Sequence, residues 1–103
     1  MIFKPSHIDL ILCGKKTATR RNCSRCPKVG TVHKLQTKFY TKEYFGKIKI
    51  VDVYSQKLGE MTTEDVAAEG YSSIEEYKKV FTEIYGVWNP DLEVKVITFE
   101  VVV

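Results

Sequence analysis

The sequence predicts an α+β domain, a small mixed β-barrel flanked by two or three short helices. Strand-like runs are short and separated by turn residues, helix-start signals fall in the second half, and the longest strand-like run, residues 94–103, comes last. The glycines argue against a doubly wound nucleotide-binding sheet. Gly14, Gly30 and Gly46 stand alone, so neither a dinucleotide fingerprint nor a P-loop can be built from them.

Taken in order, Ser6 is placed to cap a short helix in which Ile8, Ile11 and Leu12 share a face, and Gly14 is placed to stop it in a left-handed conformation. Residues 15–21, rich in threonine and long cations, read as a strand or an extended turn. Residues 22–31 read as a loop that leads into a strand over 32–40. Residues 47–54 alternate as Ile48 and Ile50, then change phase to Val51 and Val53. This predicts a bulge or a strand buried on both faces.

Thr62 or Thr63, followed by Glu64 and Asp65, opens a helix that ends near Gly70. Ser72 with Glu75 forms a capping-box pattern for another, whose apolar face is Ile74, Tyr77, Phe81 and Ile84 and whose stop is Gly86. Residues 88–91 make a turn. In the closing strand Ile97, Phe99, Val101 and Val103 point to one side, with Thr98 and Glu100 opposite.

The 103 residues, 44% of them hydrophobic, suit one domain over 1–103 with one modest core. A core of that size leaves room for a weak homodimer or a bound metal to add stability, although a monomer suffices. No membrane-length apolar run and no signal-peptide pattern is present, so a cytoplasmic protein is expected. Cys13, Cys23 and Cys26 are an odd number, which argues against a disulfide framework.

Charge is unevenly distributed. Residues 1–49 hold twelve Lys and Arg against Asp9 and Glu43, a net of +10; residues 50–103 hold four Lys against eleven acids, a net of −7. The basic run from Lys15 to Lys49, with Phe39, Tyr40, Tyr44 and Phe45 among the cations, suits a surface that tracks phosphates and stacks bases. A solvated face balanced by the acidic half explains the same pattern, and the charges alone do not choose between them.

Cys23 and Cys26 supply half of a tetrahedral zinc site, and His33 follows seven residues later. The fourth ligand would be Cys13, His7 or water, so the set is incomplete and two reduced loop thiols are the expectation. No cofactor is called for. Trp88 either plugs the end of the barrel or walls a cleft and stacks on a base.

Four blocks are more specific. The run Ile8-Asp9-Leu10-Ile11-Leu12-Cys13-Gly14-Lys15-Lys16-Thr17-Ala18-Thr19-Arg20-Arg21 is followed by Pro27-Lys28-Val29-Gly30. Then come the acidic Glu69-Gly70-Tyr71 segment and Trp88-Asn89-Pro90 before the final strand. Together these resemble the ASCH domain family across nearly the whole chain and in the right order. The resemblance implies a PUA-like fold with a cleft, and RNA or a modified nucleoside as partner.

One branch that the chain resembles, the small N(4)-acetylcytidine amidohydrolases, uses a lysine, a threonine three residues later and a glutamate from the acidic segment. These match Lys16, Thr19 and Glu69, with Arg21 as the following arginine. Lys16 would take the Thr19 proton, Thr19 would attack the acyl carbonyl, and Glu69 would protonate the departing amine. Arg21 would hold a phosphate, a carbonyl or the oxyanion. No metal enters this scheme.

Arg20 departs from that branch, where an apolar residue is common, and the two-cysteine loop departs as well. The alternative is a non-catalytic RNA-binding module in which Lys15, Lys16, Arg20 and Arg21 meet phosphates. Ribonuclease chemistry finds no histidine pair to support it, because His7 and His33 are the only histidines.

Overall fold

The computed structural model describes residues 1–22, 25–38 and 41–102. Among them four strands form one antiparallel sheet in the order β1-β4-β3-β2, with β1 Ala18–Arg21, β2 Val32–Lys34, β3 Lys47–Lys57 and β4 Glu93–Val102. Three α-helices, α1 Pro5–Leu12, α2 Thr63–Ala68 and α3 Ile74–Tyr85, accompany it, and a single 3₁₀ turn covers Leu58–Glu60. The α+β class therefore holds, but the sheet is open rather than a closed mixed barrel. Among the described residues parallel pairing is confined to one bridge, Ile2 with Gln36.

The phase change in β3 is a bulge. Ile50 pairs with Phe99 and Asp52 with Thr98, which leaves Val51 unpaired and half exposed. Because strand side chains alternate, one extra residue moves Val53 onto the face that Ile48 and Ile50 already occupy. All three then pack with Ile97, Phe99, Phe3, Ile8, Ile11 and Leu35 in the main core. A second core forms where Val94 meets Leu58, Tyr77 and Phe81, so β4 buries Val94 and Val96 on one face and Ile97 and Phe99 on the other, while Glu93, Lys95, Glu100 and Val102 stay exposed.

Helix ends follow the expected chemistry with small shifts. Pro5 at the first helical position of α1 supplies the fixed φ, and Lys4, rather than Ser6, occupies the cap. Thr62 caps α2 in a reciprocal box with Asp65. Ser73 caps α3 through the Glu76 N–H, one residue later than the capping box expected at Ser72; the Ser72 hydroxyl instead donates to the Glu76 carboxylate. Strand β2 is shorter than the expected 32–40. It ends where Leu35 and Gly46 close the hairpin, and residues 39 and 40 lie outside the described part.

Candidate functional site

The site is built where α1 and α2 meet the edge strand β1. The chain leaving α1 donates the Lys15 and Lys16 N–H groups to Leu10 O, and the Thr17 N–H reaches Ala68 O at the end of α2. These bonds bring Lys16 against Glu69, 53 residues away, and Gly70 lets them meet. Gly70 has φ +91, and a Cβ there would lie 3.1 Å from Leu10 Cδ1 and 3.5 Å from Lys16 Cβ. The Glu-Gly pairing thus has a steric reason: the glycine opens space for the lysine that the glutamate receives.

Lys16 is 2% exposed and Glu69 3%. Lys16 Nζ donates to Glu69 Oε1 at 3.0 Å and to the Glu69 carbonyl at 3.1 Å. The other Glu69 oxygen accepts from Arg20 Nη1 at 3.0 Å. Burial pushes the Lys16 ammonium below the ordinary lysine value; the pair with Glu69 opposes that, and the charges of Arg21 and Arg20 add to it.

Arg20, at 5% exposure, is committed on every side. Besides Glu69 it bonds Gln56 Oε1 through Nε at 3.1 Å and Nη2 at 3.0 Å, and it pairs with Asp65 at 3.2 Å. Gln56 in turn donates to Asp65 at 3.2 Å. Burial raises the Asp65 carboxyl, but the Thr62 N–H, the Gln56 amide and Arg20 outweigh it and hold the group below the usual carboxylate range. The role expected for Arg20, contact with RNA phosphates, therefore concerns a buried guanidinium that already holds Glu69, Asp65 and Gln56.

A cleft of about 210 Å³ opens above this cluster, room for one small organic molecule. Lys16, Thr19, Arg20, Arg21 and Glu69 all line it. Thr19 is 7% exposed, and Lys16 Nζ directs its hydrogen bonds to Glu69 rather than to the threonine. Arg21 donates to Ile2 O at 2.6 Å and lies 4.9 Å from the centre of the Phe3 ring. Val80, Phe81, Ile84 and Tyr85 of α3 form an apolar wall.

Two lining residues were missed by sequence reasoning. His7 Nε2 and the Tyr71 hydroxyl are hydrogen-bonded at 3.1 Å with their rings edge to face. Burial, with the charges of Lys16 and Lys4, lowers the His7 pKa to about 4, so the ring is neutral at neutral pH. Burial raises the Tyr71 hydroxyl to about 12, helped by Glu69 and Glu76. The aromatic after Glu69-Gly70 was a visible signal for Tyr71, whereas nothing local marks His7.

The remaining expected residues lie elsewhere. Lys15 is exposed and outside the cleft. Trp88 packs edge to face on Tyr77 and Phe81, at 6.0 and 5.4 Å, and does not line the cleft. Cys26 is disulfide-bonded, so the expectation of reduced loop thiols fails for it, while Cys23 lies outside the described residues. His33 Nε2 is 2.8 Å from the Thr31 hydroxyl. Among the described residues no group of three or more His, Cys, Asp or Glu is placed to hold a metal ion. Nor is any described helix long and apolar enough to cross a membrane.

No curated protein matches the sequence. An ASCH domain from Lactobacillus crispatus superposes with a TM-score of 0.76 at 18% identity, covering 93% of this chain and 70% of the other. A protein from Enterococcus faecalis gives 0.73 at 21%, covering 94% and 67%. The ASCH protein of Zymomonas mobilis gives 0.69 at 15%, covering 97% of this chain and 64% of its own length. These likenesses establish the shared PUA-like α+β fold. A family model, the ASCH domain, matches residues 1–103, and the chain belongs to the ASCH domain family.

Proposed function

We propose that the cleft binds an N-acylated cytidine, free or within RNA, and hydrolyses its amide as N(4)-acetylcytidine amidohydrolases do. The observation that carries this is the buried Lys16–Glu69 pair at 3.0 Å on the floor of a cleft that Thr19 also lines. Moving one proton along that hydrogen bond leaves a neutral amine and a neutral carboxylic acid, the base and the acid that amide hydrolysis needs. Burial favours the neutral amine.

In the proposed sequence Lys16 takes the Thr19 proton as Thr19 Oγ1 bonds to the acyl carbon. The contact between the two forms with substrate in place, as catalytic hydrogen bonds often tighten on binding. Collapse breaks the carbon–nitrogen bond, and the departing amine takes a proton from Glu69. Water then adds to the acyl-threonine, giving one proton to the Glu69 carboxylate while the Lys16 ammonium returns its proton to Thr19 Oγ1; acetic acid leaves and ionises to acetate, releasing one proton to solvent. His7 and Tyr71, both neutral, offer hydrogen bonds to the base.

A purely phosphate-binding module is less well supported, because Lys16 and Arg20 are spent on Glu69, Gln56 and Asp65. The test is cytidine release from N(4)-acetylcytidine by the wild type, Thr19→Ala and Lys16→Met, with circular dichroism confirming that each is folded. Turnover in the wild type and loss in both variants is expected. No turnover by folded wild type, together with RNA binding that weakens steeply with salt, would favour the binding module.

A further inference from the structure

A second pocket shares Arg21 with the cleft. Arg21, Arg25 and His33 line it over a floor of Pro27 and Ile97, with Met1 and Cys26 completing the rim. Every ionisable side chain in that lining is a cation or a histidine; no carboxylate enters it. Among the described residues neither Arg21 nor Arg25 forms an ion pair, since all three salt bridges belong to Lys16 and Arg20. Arg21 donates instead to a neutral carbonyl, Ile2 O. Arg21 and Arg25 thus bring two guanidinium groups to one pocket whose lining holds no carboxylate, and a phosphate is the group whose oxygens match the guanidinium fork.

We propose that this pocket binds the phosphate of the nucleoside seated in the cleft, so that the substrate is a nucleotide rather than a free nucleoside. Thr19 and Arg21 sit two residues apart on β1 and so point to the same side, about 7 Å apart along the strand. The reach of the arginine side chain extends that span to the scale of a base, a sugar and its phosphate. Ile97, directly across from Thr19 in the sheet, forms part of the pocket floor, which ties the two cavities to one register. The phosphate can belong to a free nucleotide or to an RNA backbone; the chemistry is the same.

This inference rests on the nucleoside assignment of the cleft, and the experiment separates the two. Calorimetry compares N(4)-acetylcytidine, its 5′- and 3′-monophosphates, a short single-stranded RNA carrying one N(4)-acetylcytidine, and inorganic phosphate. The expected result is binding of a phosphorylated form about tenfold tighter than the nucleoside, the scale of one charge-assisted hydrogen bond. Arg25→Ala should abolish that advantage and leave nucleoside affinity and turnover unchanged, and Arg25→Glu should make the phosphorylated form the weaker ligand. Tighter binding of the RNA than of either monophosphate assigns the phosphate to a backbone, and the converse assigns it to a free nucleotide. Equal affinity for nucleoside and all phosphorylated forms, with no effect of Arg25→Glu, overturns the proposal while leaving the cleft assignment intact. If no acetylcytidine compound binds but inorganic phosphate does so in an Arg25-dependent manner, the cleft assignment fails and the anion site stands.

Discussion

Lys16 Nζ is held twice by Glu69, at 3.0 Å by the carboxylate and at 3.1 Å by the main-chain carbonyl, with the two side chains 1% and 4% exposed. The carbonyl bond survives a change of side chain at position 69; the carboxylate contact does not. Glu69 also balances Arg20, so its removal strands two buried cations. We expect Glu69→Ala to cost about 3–5 kcal/mol in urea unfolding, the scale for breaking one partner of a buried pair. Lys15→Ala, at an exposed position, should change stability by no more than about 0.5 kcal/mol.

Arg20 is used as a planar fork, with Nε and Nη2 on one Gln56 oxygen and the two terminal nitrogens on separate carboxylates. A lysine ammonium cannot reproduce that geometry. Arg20→Lys should therefore lower stability by about 1–3 kcal/mol despite keeping the charge. An unchanged urea midpoint would show that the fork is dispensable.

Gly70 and Gly14 separate two costs. Both have positive φ, +91 and +83, but a Cβ at Gly14 would meet nothing within 4 Å, whereas at Gly70 it would press on Leu10. Gly14→Ala should cost roughly 1–2 kcal/mol, the left-handed penalty alone. Gly70→Ala should cost more and should also impair turnover, because the added methyl faces Lys16. Equal losses in the two variants would mean that the contact with Leu10 relaxes freely.

His7 gives a pH signature. Its folded pKa of about 4 lies below the ordinary 6.5, so between those values the unfolded chain binds the proton more readily. The His7 contribution to stability is thus fully present above pH 6.5 and is lost as pH falls toward about 4. Unfolding midpoints across that window should decline less steeply in His7→Gln than in the wild type. Parallel declines would place the acid sensitivity in other groups.

Much of this architecture is legible in the sequence wherever a local rule decides. The phase change at Val51, read as a bulge or a doubly buried strand, is a bulge; the glycines read as helix ends at 14, 70 and 86 sit at positive φ; and Thr62, of the two threonines offered, caps the helix it precedes. Lys16, Thr19, Arg21 and Glu69 were placed together by resemblance, and all four line one cleft. What was not legible depends on distant partners. Arg20 looked like a phosphate ligand because the sequence does not say that Gln56 and Asp65 await it. For Trp88 the sequence left packing and base stacking both open, and its edge-to-face contacts with Tyr77 and Phe81 are those of a packed residue. His7 and Tyr71 are 64 residues apart, and only the fold makes them neighbours. Sheet closure is likewise a property of strand order, so a barrel was expected where an open four-stranded sheet is found.

The decisive observation would be the acyl group itself. Wild-type protein mixed with excess N(4)-acetylcytidine, quenched in acid during turnover and digested, should yield an acetyl adduct on the peptide that carries Thr19. Thr19→Ala should show neither adduct nor turnover. Hydrolysis at the wild-type rate by Thr19→Ala would contradict the assignment of Thr19 as nucleophile.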